Sequence, residues 1–392
     1  MQDSVVIVSA ARTPMGGMMG SLSSVRAPEL CATAIKAALE RAHIVGSDVD
    51  EVVMGCVLPA GLGQAPARQA SLGAGIPVDA GCTTVNKMCG SGMKAVMLAH
   101  DQIKAGEAKV MVAGGMENMS QSPYLLPKAR EGMRMGHQQV IDSMFFDGLE
   151  DAYQGGLMGT FAQQSADTFN VTREAMDDFA IQSLERALKA IETGAFKDEI
   201  APVTVTSRRG ETLVDTDEQP GNARIDKIRQ LKPAFKKDGT VTAANSSSIS
   251  DGGSALVLMS ESEALQRGLK PLARIKAHST HAQLPEEFTI APIGAIQKVL
   301  DKAGWSKDEV DLYEINEAFA VVTMLAVDQL GLDYDKVNVH GGACALGHPI
   351  GSSGSRILVT LLYALQQRGL SKGVASLCIG GGEATAVAVE LL

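Results

Sequence analysis

Along residues 91–106 apolar side chains recur at Met93, Val96, Met97 and Ile103, one face of a helix, and Gly106 stands where that helix would stop. The methionines on that face read most simply as core residues. An unbroken apolar strand, VMVAGG, follows and ends in a glycine cluster. The same grammar returns near the other end of the chain. Ile357, Leu361, Leu362 and Leu365 define a helical face, Gly369 stops it, and the strand VASLCIGGG follows. The repeat is also metrical: Asp50 precedes Gly90 by 40 residues, and Asp311 precedes Gly351 by the same 40. Apolar strands joined through amphipathic helices predict parallel sheets covered by helices, in two similar halves packed together. Ligand sites in such folds lie at the carboxyl ends of strands, where both glycine clusters fall.

Between the halves, over residues 120–249, the texture changes. A polar helix, REAMDDFAIQSLERALKAIETGAF, and loops such as VTSRRGETLVDTDEQPGNARIDK read as an insertion lying over the site. Within it Arg224, Lys227, Arg229, Lys232, Lys236 and Lys237 face only Asp226, six positive charges against one, a local net of +5 on a chain of −10. Such a stretch is either a solvated face or a receptor for an anionic, phosphate-bearing ligand.

At 392 residues the chain exceeds one ordinary core, and 45% hydrophobic with 20% charged residues marks a folded globular protein. The acidic balance argues against nucleic acid as a partner. No apolar run approaches the ~18 residues needed to span a bilayer. The opening MQDSVVIVSAARTP lacks a basic leader and reads as a first strand, and the end AVAVELL carries no targeting tripeptide, so a cytoplasmic location is expected. Six cysteines show no metal-ligand spacing and no CxxC pair, which predicts free thiols and no metal centre. Cys31, Cys56 and Cys82 sit in apolar stretches and read as packing residues. Cys89, Cys344 and Cys378 neighbour glycine-rich turns. In NKMCGSGMK, Cys89 is either a small buried hydrophobe or a nucleophile at a helix N-terminus, where the dipole and a nearby imidazole favour thiolate. His348 precedes Pro349 in GGACALGHPIGSSG, which biases it to extended backbone within a rigid loop.

The segments NKMCGSGMK, NEAFA (316–320), GHPIG and CIGGG, in that order over essentially the whole chain, resemble those of the thiolase family, in its short-chain, acetoacetyl-CoA-forming branch. That resemblance implies an α/β fold: a duplicated, five-layer αβαβα core with an inserted loop domain, usually in a homotetramer (a dimer of dimers). Residues 1–120 with 250–269 would form the N-terminal half, 121–249 the loop domain for CoA binding and oligomer contacts, and 270–392 the C-terminal half. It implies an acyltransferase of lipid metabolism that condenses two acetyl-CoA to acetoacetyl-CoA plus CoA, or the reverse, with CoA thioesters as substrates and no permanently bound cofactor. Cys89 would carry the acyl group, His348 would move protons to and from Cys89 and the leaving CoA, and Cys378 would act as acid or base at C2. Asn316 would hold a water that forms one oxyanion hole with His348, and the amides of Cys89 and Gly380 would form another. Phe235 would pack on adenine, Lys227 would lie near the phosphates, and Ala243, Ser247, Leu149, Met158, Ala318 and Phe319 would line the pantetheine channel.

A Claisen condensation fits this equipment. It needs an activated acyl group, for which a thiol whose pKa starts near ~8.5 is suited, and a carbanion whose enolate oxygen needs preset donors. The chain departs from the family pattern at Leu157, where histidine is common beside the acyl channel, and at Pro220 and Lys227 in the loop domain. It also carries His340 and Cys344 where asparagine and isoleucine are usual. Both are expected near the site, Cys344 as a packing substitution. Three rivals remain in view: a 3-ketoacyl-CoA thiolase of fatty-acid β-oxidation acting on longer chains, a decarboxylating ketoacyl synthase, and a thiolase-like binding protein without catalysis. Asn316 and the second cysteine argue against the synthase, and intact Cys89 against the binding protein. Neither glycine cluster supplies the GxGxxG of a nucleotide-binding turn.

Overall fold

The computed structural model describes residues 3–392. Nine strands pair in one unbroken path, and their order explains the repeat in the sequence. The N-terminal half contributes β1 (Val5–Arg12), β2 (Glu51–Gly55), β3 (Gly81–Val85), β4 (Val110–Asn118) and β5 (Ser250–Ser260). Its helices are α1 (Ala27–Ala42), α2 (Pro66–Gly73) and α3 (Ser91–Ala105), and the long excursion between β4 and β5 carries α4 (Met158–Thr168) and α5 (Arg173–Thr193). The C-terminal half contributes β6 (Ala273–Ala282), α6 (Ala291–Ala303), β7 (Leu312–Ile315), α7 (Ala320–Leu330), α8 (Ile350–Arg368), β8 (Lys372–Ile379) and β9 (Glu383–Leu391). The strand order is β7-β8-β9-β6-β1-β5-β4-β2-β3. Only two residue pairs, Val6↔Arg274 and Ile7↔Ala273, join the halves across β1 and β6.

The expectation of parallel sheets is corrected. β2 is parallel to β3 and β4, and β7 is parallel to β8, but β5 lies antiparallel to both β4 and β1, and β9 lies antiparallel to β8 and β6. Each half is therefore a mixed sheet with the same path. The parallel bridge Tyr313↔Val337 stands in the C-terminal half where β3 stands in the N-terminal one.

Successive strand residues point to opposite faces, and the core divides accordingly. Val110 and Val112 of β4 pack with α1 and α2, whereas Met111 and Ala113 pack with α3 and α8. On the far side β7, β8 and β9 turn one face to α8 and the other to α6 and α7. The layers run helices, sheet, the α3–α8 pair, sheet, helices. α8 is buried along its whole length from Ile350 to Leu365, as a helix sandwiched between sheets must be. Gly106 and Gly369 end α3 and α8 in left-handed conformation, at φ 79° and 65°.

The two central helices cross closely. A side chain on Gly354 of α8 would place its Cβ 2.5 Å from the backbone nitrogen of Met93 on α3, and one on Gly92 would lie 2.9 Å from that of Ser355. Glycine there sets how near the two helix starts approach. The long excursion between β4 and β5 is tied down by buried Arg12 at the end of β1, which pairs with Glu199 and, through Nη1, with Asp217 at 2.7 Å. Among the described residues no helix is long and apolar enough to cross a membrane.

Candidate active site

Cys89 stands in the turn between β3 and α3. Met88, just before it, has φ of 46°, a left-handed conformation uncommon for a bulky side chain. The turn is clamped by Ser91, whose Oγ accepts from the Lys87 amide at 2.8 Å and donates to the Met88 carbonyl at 2.6 Å. Lys87 also pairs with Glu383 at the start of β9, which binds the turn to the other half of the molecule.

His348 lies in the loop that opens into α8. Its amide is within hydrogen-bond distance of the Ser248 carbonyl (3.2 Å) and the Ser250 hydroxyl (3.1 Å). Its ring Nδ1 is 2.5 Å from Ser353 Oγ, and Ser353 donates its one proton to the Pro349 carbonyl at 3.0 Å. Ser353 must therefore accept from His348, which places the imidazole proton on Nδ1 and leaves the lone pair on Nε2. Nε2 is buried without a protein partner. Burial, with Arg356 adding a repulsive charge, lowers the His348 pKa to about 3, so the ring is a neutral acceptor.

Cys378 is the penultimate residue of β8, 1% exposed, and the turn Gly380–Gly382 carries the chain into β9. Burial pushes its thiol well up, and the nearby Cys89 adds to this. Burial likewise pushes Cys89 up to about 11, opposed by two amides that face its sulfur, those of Gly380 and of Cys89 itself. A resting thiolate at the helix start is thus overturned: in a dry pocket desolvation outweighs the dipole, and the thiol needs a base. Asn316 directly follows β7 with 1% exposure, and both polar atoms of its side chain lack a protein partner.

A cavity of about 400 Å³ receives Cys89, Cys378, His348 and Gly380. Leu149, Leu157, Met158, Phe235, Ala243, Ser247, Ala318 and Phe319 line the rest of it. The wall is laced together by the Ser247 amide donating to the Ala318 carbonyl and the Ala320 amide to the Asn245 carbonyl, both at 2.9 Å. The Phe235 ring presses on the Gly159 backbone, where any Cβ would overlap it, and meets Phe319 edge-on at 6.1 Å. A mostly apolar chamber with two thiols, a neutral imidazole and preset amides can hold a thioester and move protons around it.

Lys227 does not line this cavity: its side chain is 51% exposed and 3.9 Å from Asp226. The basic stretch around it is partly neutralised, since Arg229 pairs with Asp178 and Lys236 with Asp167 at 2.6 Å, carboxylates that local sequence could not bring in. His340 is a second correction. It lines a separate cavity with Arg186, Lys189 and Arg368, because the chain turns away between it and Gly347. Cys344 donates to the Glu317 carbonyl at 3.6 Å and packs behind Phe319 without lining the chamber.

Three supporting residues escaped notice in the sequence. Besides Ser353, Glu117 accepts from the amides of Val57, Leu58 and Gly351, fixing the start of α8, and Glu317 accepts from Ser183, Asn338 and the Cys344 amide, fixing the NEAFA loop. A lone carboxylate inside the apolar run VMVAGGMEN was the available signal for Glu117.

A duplicated αβαβα core that brings two cysteines and a histidine to one chamber defines an acyl-transferring thiol enzyme. Residues 5–262 match the family described as "Thiolase, N-terminal domain" and residues 269–391 "Thiolase, C-terminal domain". The chain is 54% identical over 391 residues to acetyl-CoA acetyltransferase 2 of Arabidopsis thaliana, covering 99% of this chain and 97% of that one. It is 50% identical over 389 residues to the acetyl-CoA acetyltransferase of Pseudomonas aeruginosa, covering 99% of each. The crystal structure of the Bacillus anthracis acetyl-CoA acetyltransferase superposes with a TM-score of 0.97 at 43% identity, over 100% of this chain and 99% of that one. The protein belongs to the thiolase family.

Proposed function

We propose that the protein is an acetyl-CoA C-acetyltransferase that interconverts two acetyl-CoA with acetoacetyl-CoA and CoA. The observation that carries this reading is the meeting of Cys89, from the N-terminal half, with His348 and Cys378, from the C-terminal half, in one apolar chamber. The relatives' names support the short-chain reading over the β-oxidation one.

In the first half-reaction His348 Nε2 takes the Cys89 proton as the sulfur attacks the acetyl carbonyl. The C–S bond to CoA breaks, and the imidazolium returns its proton to the departing CoA sulfur, leaving acetyl-Cys89. The amides of Cys89 and Gly380 face the Cys89 sulfur, which supports their holding the tetrahedral oxyanion. In the second, Cys378 passes its thiol proton to His348 Nε2 and, as the thiolate, removes a proton from C2 of a second acetyl-CoA. The carbanion attacks acetyl-Cys89, the C–S bond to Cys89 breaks, the imidazolium returns its proton to the Cys89 sulfur, and acetoacetyl-CoA leaves. A water held by Asn316 and His348 Nε2 steadies the enolate oxygen, and the unpartnered polar atoms of both side chains support this assignment.

The pantetheine arm runs between Leu149 and Met158 on one side and Ala243, Ser247, Ala318 and Phe319 on the other, with Phe235 toward adenine and Lys227 outside near the phosphates. Leu157 bounds the acyl end and sets chain length. Residues 121–249 act as the loop domain, set between an N-terminal half of 1–120 with 250–269 and a C-terminal half of 270–392. Exposed Tyr124, Leu126, Met135 and Val140 in that segment support a homotetramer. The protein works in the cytoplasm, in lipid metabolism, on freely exchanging CoA thioesters. The test is acetyl-CoA formation from acetoacetyl-CoA plus CoA, in competition with 3-ketoacyl-CoA substrates of graded length. Preferred cleavage of long chains would assign the alternative.

A further inference from the structure

Away from the chamber, α3 and β6 bring together three side chains that the reaction does not use. His100 and Asp101 sit in the third turn of α3, and His278 lies on β6 opposite Val387. Asp101 Oδ1 is 2.9 Å from His100 Nδ1 and 2.8 Å from His278 Nε2. These three ligand atoms all lie within 4.8 Å of one another. The imidazole rings cross edge to face at 85° with centroids 4.9 Å apart, so both nitrogens turn toward the same carboxylate. The histidine side chains are 13% and 17% exposed and the aspartate 54%. The cluster is therefore anchored on its imidazole side and open to solvent on its carboxylate side.

We propose that His100, Asp101 and His278 form a site for a divalent transition-metal ion that fastens the N-terminal half to the C-terminal half. Two imidazoles and one carboxylate suit zinc, cobalt or nickel, and are too nitrogen-rich for calcium or magnesium. Ligand bonds of about 2.0–2.2 Å in a tetrahedron set donor atoms roughly 3.3–3.6 Å apart. The two N···O separations open by about half an ångström to reach this, and the imidazoles close toward each other from at most 4.8 Å. The half-exposed Asp101 side chain is free to make that adjustment, and its open side leaves room for water as the fourth ligand. An ionised Asp101 Oδ1 can only accept, so each ring directs an N–H at it. A ligating nitrogen carries no proton, so binding takes the neutral tautomer with its N–H on the other ring nitrogen.

The location gives the ion a structural effect. α3 begins beside Cys89, and β6 is the C-terminal strand that meets β1 at only two residue pairs. An ion held by both elements adds a direct link between the two halves, and because only the folded chain assembles the three ligands, it raises Tm.

Cobalt(II) is the probe, since its spectrum distinguishes nitrogen and oxygen ligands from thiolate, and the chain has six free cysteines. The full-length protein, stripped with chelator and kept reduced, should bind one Co²⁺ per chain without a sulfur charge-transfer band, and its Tm should rise. His278→Gln and His100→Gln should each weaken binding at least about tenfold and abolish the Tm rise, with acetoacetyl-CoA thiolysis unchanged because neither residue lines the chamber. If a histidine variant fails to fold, Asp101→Asn, at the exposed corner of the cluster, gives the same reading. No saturable binding below about 1 mM, a thiolate spectrum, or full affinity in the variants would overturn the proposal and leave the cluster as a hydrogen-bonded surface triad.

Discussion

Ser353 holds His348 through Nδ1 and so decides which ring nitrogen carries the lone pair. Removing its hydroxyl leaves a buried N–H unpartnered, at a cost of about 1–3 kcal/mol, and frees the ring to turn. Ser353→Ala should lower kcat by roughly 5- to 100-fold with little change in KM for CoA, since the hydroxyl does not reach the chamber wall. A raised KM at unchanged kcat would place Ser353 in substrate binding instead. Cys89 and His348 were legible as residues from their glycine-framed loops, but their protonation states were not. Sequence displays the helix start beside Cys89; only the folded pocket displays the desolvation that takes the thiol to about 11 and the imidazole to about 3.

Between elements, the α3–α8 crossing carries the geometry of the site, because one helix begins next to Cys89 and the other next to His348. Gly354→Ala would drive a Cβ to 2.5 Å from the Met93 amide nitrogen, a backbone atom with no flexible end to yield. The variant should lose about 1–3 kcal/mol of stability by overpacking and most of its turnover. Denaturant unfolding together with kcat checks this, and a variant of native stability and activity would show that the crossing has slack. The helix faces and their glycine stops were readable because 3.6-residue periodicity is local. Strand direction was not, because β5 lies more than a hundred residues beyond its partner β4 and nothing in either apolar run states which way the other points. His340 failed for the related reason that nearness along the chain is not nearness in space.

At the scale of the whole molecule, buried ionisable groups set how stability responds to pH. Burial raises the carboxyls of Glu314 to about 8, Glu117 to about 7 and Asp251 to about 6, so each holds its proton more tightly folded than unfolded. That stabilisation is complete below the ordinary carboxylate range and is lost as pH rises through these values. Burial acts oppositely on His348 and His340, lowered to about 3 and about 4, whose stabilisation is present above about 6.5 and lost in acid. From pH about 6.5 to about 8.5 the histidine contribution is already full and the carboxylates dominate the change, joined near its upper end by the buried thiols, whose raised pKa acts with the same sign. Tm should therefore fall by a few degrees across that interval, and a Tm that holds or rises would show that these carboxyls are ionised in the folded protein at neutral pH. The duplication was legible from the 40-residue metric, whereas the inward carboxylates and the join through β1 and β6 exist only once the halves are packed.

The central claim is that the two thiols divide the work, Cys89 carrying the acetyl group and Cys378 moving the proton at C2. Peptide mass spectrometry on Cys378→Ala incubated with acetyl-CoA tests it most directly. An acetyl increment should appear on the Cys89 peptide while acetoacetyl-CoA turnover falls by ~10²–10⁴-fold, and Cys89→Ala should lose both. A folded Cys378→Ala protein that turns over normally, or that fails to acetylate Cys89, would contradict the account.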